Sequence, residues 1–165
     1  MSAGMIKVVG IDPGLAGTGV AIVQGDIRGV NGYSFGSVAT DSSDDISFRL
    51  DFLYTKIFSF LEEHRPDIVV FEDIYSLEKY PKSGILLGKV TGVLILAAYK
   101  VGIRMEEVAV REMKKIICGN GRAGKEQVER SVRNQLGHSE PIRPFHASDA
   151  LGLALTGYYR NKGRR

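Results

Sequence analysis

The chain has 165 residues, 44% of them hydrophobic and 25% charged, ordinary values for a globular protein with one buried core, so a single domain over 1–165 with a basic tail at 161–165 is expected. A lone cysteine, Cys118, excludes an internal disulfide framework and fits a cytoplasmic protein; no stretch reads as a membrane span of about 20 apolar residues, and the opening MSAGMIKVVGID lacks the regions of a signal peptide. The net charge of +3 is unevenly spread, with 8 Lys+Arg against 12 Asp+Glu in residues 1–99 and 14 against 7 in residues 100–165, which fits either a polyanion partner or a solvated lysine-rich surface.

In chain order, residues 5–12 (MIKVVGID) and 18–24 (TGVAIVQ) read as β-branched strands around a glycine turn, and 29–40 as a third. Together they form an expected antiparallel meander. Beyond an Asp/Ser cluster expected to cap a helix, Ile46, Leu50, Leu53, Ile57 and Leu61 recur at helical spacing, and Pro66 ends that helix. DIVVFED, 67–73, is an apolar run bounded by acids, the signature of a buried parallel strand. A loop containing Pro81 leads to a long apolar helix at 83–102, then a short strand (IRMEEVAV) and a helix (VREMKKIICG). After the turn GNGRAG comes a helix with Val128, Val132 and Leu136 on one face. A proline-bearing loop (SEPIRPFH) then precedes the last helix, ASDALGLALTGYYR. The order predicts an α/β fold, a mixed sheet flanked by helices.

Two apolar runs stop at a carboxylate: VVGI at Asp12 and IVVF at Glu72. In an open α/β sheet ligands bind beyond the carboxyl ends of the strands, so parallel neighbours about 4.8 Å apart project both acids over one edge. Two such carboxylates repel each other unless a cation such as Mg²⁺ lies between them; alternatively, both are polar residues where strands surface. His146 and Asp149, three apart in HASDALGLALTGY, share one helical face continued by Gly152, Leu153 and Thr156. Gly152 costs on the order of 1 kcal/mol of helix propensity but allows another element to approach closely. An acid on so closely packed a stripe needs a partner, and a metal shared with Asp12 and Glu72 is one. A solvated Asp149 beside a helix-entry histidine is the other reading.

The chain resembles the RuvC-type Holliday-junction resolvases (crossover junction endodeoxyribonucleases) of the RNase H-like superfamily over roughly residues 6 to 160. The likeness rests on GIDPGLAGTGVA, on Glu72 ending the fourth strand, on LGKVTGVLILAA, on KKIICGNGRAGKEQV and on HASDALGLAL. It implies an RNase H-like mixed five-stranded sheet flanked by helices. It also makes Asp12, Glu72, His146 and Asp149 the catalytic, metal-binding set, with two Mg²⁺ per site and Mn²⁺ accepted through the histidine nitrogen. The implied reaction is hydrolysis of four-way junction DNA by paired symmetric nicks that leave 5′-phosphate and 3′-hydroxyl ends. His146 has a second reading as general base.

The resemblance further makes Lys114 and Lys125 contacts to the DNA backbone, in a patch extended by Arg111, Lys115 and Arg122. Tyr75, three residues after Glu72, matches an aromatic that wedges into the junction core. The loop SLEKYPKS departs from the family pattern and brings in Tyr80 as a second candidate. A homodimer joined through helix 83–102 is implied, with a branch-migration motor complex as a further partner and no membrane. Gly14, Gly17 and Gly19 are expected to keep bulk away from the phosphate path.

Several rivals compete for these residues. GNGRAGKE has phosphate-loop spacing, but Glu126 stands where a Ser or Thr must hold Mg²⁺. D-x-G-x-x-x-T-G-V also opens actin-like kinases, which need a second lobe. An RNase H-like nuclease of another branched or hybrid substrate, and a non-catalytic junction-binding protein, complete the alternatives.

Overall fold

A computed structural model describes residues 4–73 and 81–163. The elements are β1 (Ile6–Asp12), β2 (Gly17–Gly25), β3 (Val30–Ala39), α1 (Ile46–His64), β4 (Ile68–Glu72), α2 (Pro81–Val101), β5 (Arg104–Val108), α3 (Val110–Cys118), α4 (Lys125–Leu136) and α5 (Phe145–Asn161). They form one sheet in the order β3-β2-β1-β4-β5. The meander β1-β2-β3 is antiparallel, and β4 and β5 run parallel to β1. This is the mixed five-stranded α/β arrangement that the resemblance implies.

Strand alternation divides the sheet between two cores, because successive side chains point to opposite faces. Val8 and Val70 face one side, where they pack with α5, α3 and α4. Val9, Ile11, Val69 and Phe71 face the other and meet Leu53 and Ile57 of α1 and Val90 and Leu94 of α2. Both faces are covered, which is why β1 and β4 read as unbroken apolar runs.

Helix boundaries depart from the sequence reading in three places, while α1 ends before Pro66 as expected. The Asp/Ser cluster before α1 forms no side-chain cap; the Asp41 carboxylate instead accepts the Ser43 amide at 2.9 Å and its hydroxyl at 2.8 Å. α1 closes on Arg65 in the left-handed region, φ 43°, because Pro66 bars a further turn. α2, described from Pro81 onward, takes in residues before the expected start at 83. α5 begins at Phe145, so His146 lies inside the first turn and not in the loop before it.

α2 also corrects the expectation about apolar length: residues Lys82–Val101 are long and apolar enough to cross a membrane by composition. Here the Val90, Leu94, Ala97 and Val101 stripe is buried against α1 and the sheet, as in a core helix. Its other face leaves Ile85 64% and Tyr99 69% exposed.

α5 is buried on almost every side. It lies so close to the sheet that a Cβ on Gly10 of β1 would stand 2.0 Å from the Ala150 carbonyl oxygen, and one on Gly19 of β2 would stand 1.9 Å from that of His146. From the helix side, a Cβ on Gly157 would meet Val70 at 2.5 Å. The close approach expected at Gly152 is made to α3, whose Met113 sulfur lies 2.9 Å from where a Cβ would be.

Candidate active site

Parity puts Asp12 and Glu72 on one face. Residues 6, 8 and 10 of β1 and 68 and 70 of β4 face α5, so 12 and 72, continuing the same alternation, do as well. The β1–β4 register pairs Ile11 with Phe71, so Asp12 and Glu72 are neighbours one step further along. α5 then supplies His146 and Asp149 from its first turns. The close seat of α5 over Gly10 and Gly19 holds the His146 backbone against the sheet.

The imidazole of His146 donates from Nδ1 to Asp12 Oδ2 at 2.7 Å, and this bond pushes the imidazole pKa up from its ordinary value. Glu72 lies beside the same carboxylate, on the strand paired with β1. Burial comes first, and the charges of Asp12 and Asp149 follow, in pushing Glu72 up to about 8. Burial, then the charge of Asp12, pushes Asp149 up to about 6. The causes agree in direction: with three carboxyls crowded away from water, Glu72 and Asp149 hold protons that relieve the repulsion. The four groups are not drawn into a closed cage, since among the described residues no three His, Cys, Asp or Glu side chains gather at metal-holding spacing. Asp12 accepts the His146 imidazole in that arrangement.

All four line one cavity of about 270 Å³ with Lys114 and Lys125, walled by Pro13, Leu87, Val110 and Val128. Both lysines pull the acids the other way: Lys114 lowers Glu72 and Lys125 lowers Asp149, each less than burial raises it. A larger hollow of about 400 Å³, between β3 and the end of α4, brings together no acid and no cation, so size alone does not mark the chemistry here.

Of the basic residues singled out in the sequence, the structure brings Lys114 and Lys125 into the cavity and leaves Lys115, Arg111 and Arg122 exposed outside its lining. A sequence signal separates them. Val110 and Lys114 are one turn apart on α3, and Lys125 and Val128 one turn apart on α4, so each helix offers one apolar and one basic side chain to the cavity. Tyr75 and Tyr80 lie outside the described residues. Gly14, Gly17 and Gly19 make room within the chain itself: Gly19 admits the His146 backbone, a Cβ on Gly17 would rest 3.6 Å from the His146 ring, and one on Gly14 would meet the Gly17 carbonyl at 2.5 Å. GNGRAG follows helix α3 rather than a strand, which removes the phosphate-loop reading.

Residues 8–157 match the family model for crossover junction endodeoxyribonuclease RuvC. The chain belongs to the RuvC family. A RuvC from Caldicellulosiruptor saccharolyticus is 36% identical over 155 residues, covering 91% of this chain and 90% of its own. One from Caldanaerobacter subterraneus is 33% identical over 156 residues, covering 94% of each. The structure of Thermus thermophilus RuvC in complex with Holliday junction substrate superposes with a TM-score of 0.86 at 28% identity, covering 96% of both chains. The mixed sheet is therefore the RNase H-like sheet of RuvC, and the chain is an endodeoxyribonuclease of crossover junctions. Actin-like and phosphate-loop readings fall away with this membership.

Proposed function

We propose that Asp12, Glu72, His146 and Asp149 hold two divalent cations, Mg²⁺ with Mn²⁺ accepted, and that a homodimer uses two such sites to nick a four-way DNA junction symmetrically. The observation that supports this most is the meeting of three acids and an imidazole from β1, β4 and α5 in one cavity that Lys114 and Lys125 also line. The donor set fits the ions: carboxylate oxygens suit hard cations, one nitrogen widens acceptance to Mn²⁺, and the protons on Glu72 and Asp149 compensate for repulsion that a cation removes better. Bound there, divalent ions make water a nucleophile at neutral pH and neutralise charge on the leaving oxygen.

The chain's own residues do the rest. Asp12 fixes the His146 ring through Nδ1–H, which leaves Nε2 as its remaining lone pair. The water oxygen bonds to phosphorus, the P–O3′ bond breaks, and the 3′ oxygen takes a proton, leaving 5′-phosphate and 3′-hydroxyl ends. Lys114 and Lys125 hold the strand at the cavity, while the exposed Lys115 and Arg122 extend the basic face along the backbone. Two-fold symmetry of the junction calls for two sites, and the exposed apolar face of α2 offers the surface for a second copy. Tyr75 as junction wedge, a branch-migration motor complex as partner and a cytoplasmic location belong to the same reading.

The deciding experiment is cleavage of a labelled four-way junction by wild type and Asp12→Asn across a divalent-ion series. Paired symmetric nicks from the wild type, with binding but no cutting by Asp12→Asn, are expected. Nicking only of an RNA–DNA hybrid, or equal cutting by both proteins, sinks the reading.

A further inference from the structure

We propose that Arg143 is a preformed contact for a DNA backbone phosphate at the rim of the cleavage site. It rests on the nuclease reading of that site but concerns a residue outside its ligand set. The guanidinium lies over the Phe145 ring with Cζ 4.3 Å from the centroid, and its Nη1 donates to the Ile142 carbonyl at 2.9 Å. Cation–π stacking and a hydrogen bond thus hold a side chain that is otherwise rich in rotamers.

The backbone beneath it is held as firmly. The Ile142 side chain is fully buried, and its amide donates to Glu129 Oε1 at 2.9 Å. Glu129 is only 4% exposed and also pairs with Arg133 Nε at 3.0 Å. It follows Val128, a wall of the cavity, on α4. Pro144 restricts the residue before it to extended backbone. Three residues beyond Arg143 comes His146, bonded to Asp12.

Several other arginines fixed in the fold have carboxylates: Arg28 pairs with Asp26, Arg104 with Glu106 and Arg160 with Glu112, whereas Arg49 donates to the Thr40 hydroxyl at 2.8 Å. Arg143 is exposed, and among the described residues no carboxylate lies within ion-pair distance of it. Of its five N–H donors one serves the Ile142 carbonyl. The others form a planar fork whose complement is a pair of anionic oxygens, as on a phosphodiester. Immobilisation before the ligand arrives lowers the entropic cost of that contact. The cations already in the cavity, Lys114 and Lys125, make the approaching anion a nucleic-acid strand.

The test is four-way junction binding in the Asp12→Asn background, with Mg²⁺ present, as a function of salt. Adding Arg143→Ala is expected to weaken binding about tenfold, the worth of a charge-assisted hydrogen bond, and to make the slope of log Kd against log salt shallower by about 0.9, one phosphate contact. Arg143→Lys keeps the slope. Phe145→Leu keeps the slope and weakens binding, because the charge remains but is no longer held. Arg143→Ala with unchanged Kd and slope overturns this proposal alone. Failure of Asp12→Asn itself to bind a junction takes the nuclease reading down as well.

Discussion

His146 donates its Nδ1 proton to Asp12 Oδ2 across 2.7 Å, so the first turn of the last helix is bonded to the end of the first strand. Glu72 stands beside the same carboxylate on the neighbouring parallel strand, and the charge of Asp12 helps to push its pKa up. Asp12 thus accepts the imidazole in a site where Glu72 and Asp149 hold protons, and a cation entering it must displace them.

Asp12→Asn leaves the side chain's size unchanged but removes the charge that the His146 imidazole and any cation require. Cleavage should fall by about 10³-fold or more, the equivalent of the several kcal/mol that metal-assisted charge stabilisation supplies, while junction binding persists. Single-turnover cleavage beside a binding titration measures both. Cleavage within tenfold of wild type is the contrary outcome.

The raised acids give a pH dependence with a defined sign. Glu72 holds its proton to about 8 in the fold against an ordinary 4.5, and Asp149 to about 6 against 3.8. Between those values the folded chain binds protons that the unfolded chain has released, so metal-free stability falls as pH rises from about 4.5 to 8. His146, with its pKa raised by Asp12, works in the same direction, since its contribution is complete below 6.5 and is lost as pH rises through its folded value. Thermal melts in chelator should therefore fall across this range, and added Mg²⁺ or Mn²⁺ should raise Tm more at pH 8 than at pH 5.5. Glu72→Gln should flatten the decline and raise metal-free Tm at pH 8 while abolishing cleavage. A metal-free Tm that rises from pH 5.5 to 8 contradicts the argument.

The strand-ending acids were legible because their signal is local. Alternation along VVGID and IVVFE determines the face, and parallel pairing determines the neighbour. Asp149 and His146 were legible as a helical pair for the same reason. The Asp12–His146 bond was not, because nothing within either segment reports a partner 134 positions away. The close seat of Gly19 was not legible on the same ground: beside Asp12 it reads as part of a turn, whereas it makes room for a helix more than a hundred residues later. Charge counting also failed to separate Lys114 from Lys115, since a count has no direction and only the position relative to Val110 does.

Gly19 carries a prediction of its own. Alanine there places a Cβ 1.9 Å from the His146 carbonyl oxygen, an atom of a buried helix that cannot turn aside. Overpacking of this kind costs about 1–3 kcal/mol or more, which for a chain of this size lowers Tm by roughly 2–12 °C. The shift also moves His146 away from Asp12, so Gly19→Ala should lose cleavage even below its melting temperature. Gly36 of β3 has nothing within 4 Å of its would-be Cβ and is the matched control. Equal melting and cleavage for Gly19→Ala and Gly36→Ala would contradict the close seat of α5.

Lys114 and Lys125 should reveal themselves twice. As phosphate contacts, each replaced by alanine makes the salt slope of junction binding shallower by about 0.9, without changing sequence preference. As cavity cations, Lys114 holds Glu72 down and Lys125 holds Asp149 down. Removing either lysine raises the acid's proton affinity, so protons compete better with the metal and the ion concentration for half-maximal cleavage at pH 7 rises. Lys115→Ala, outside the cavity lining, can alter the salt slope but should leave that metal requirement unchanged. An identical metal requirement in Lys114→Ala and wild type at pH 7 would separate the lysine from the acids and leave it a role in DNA contact alone.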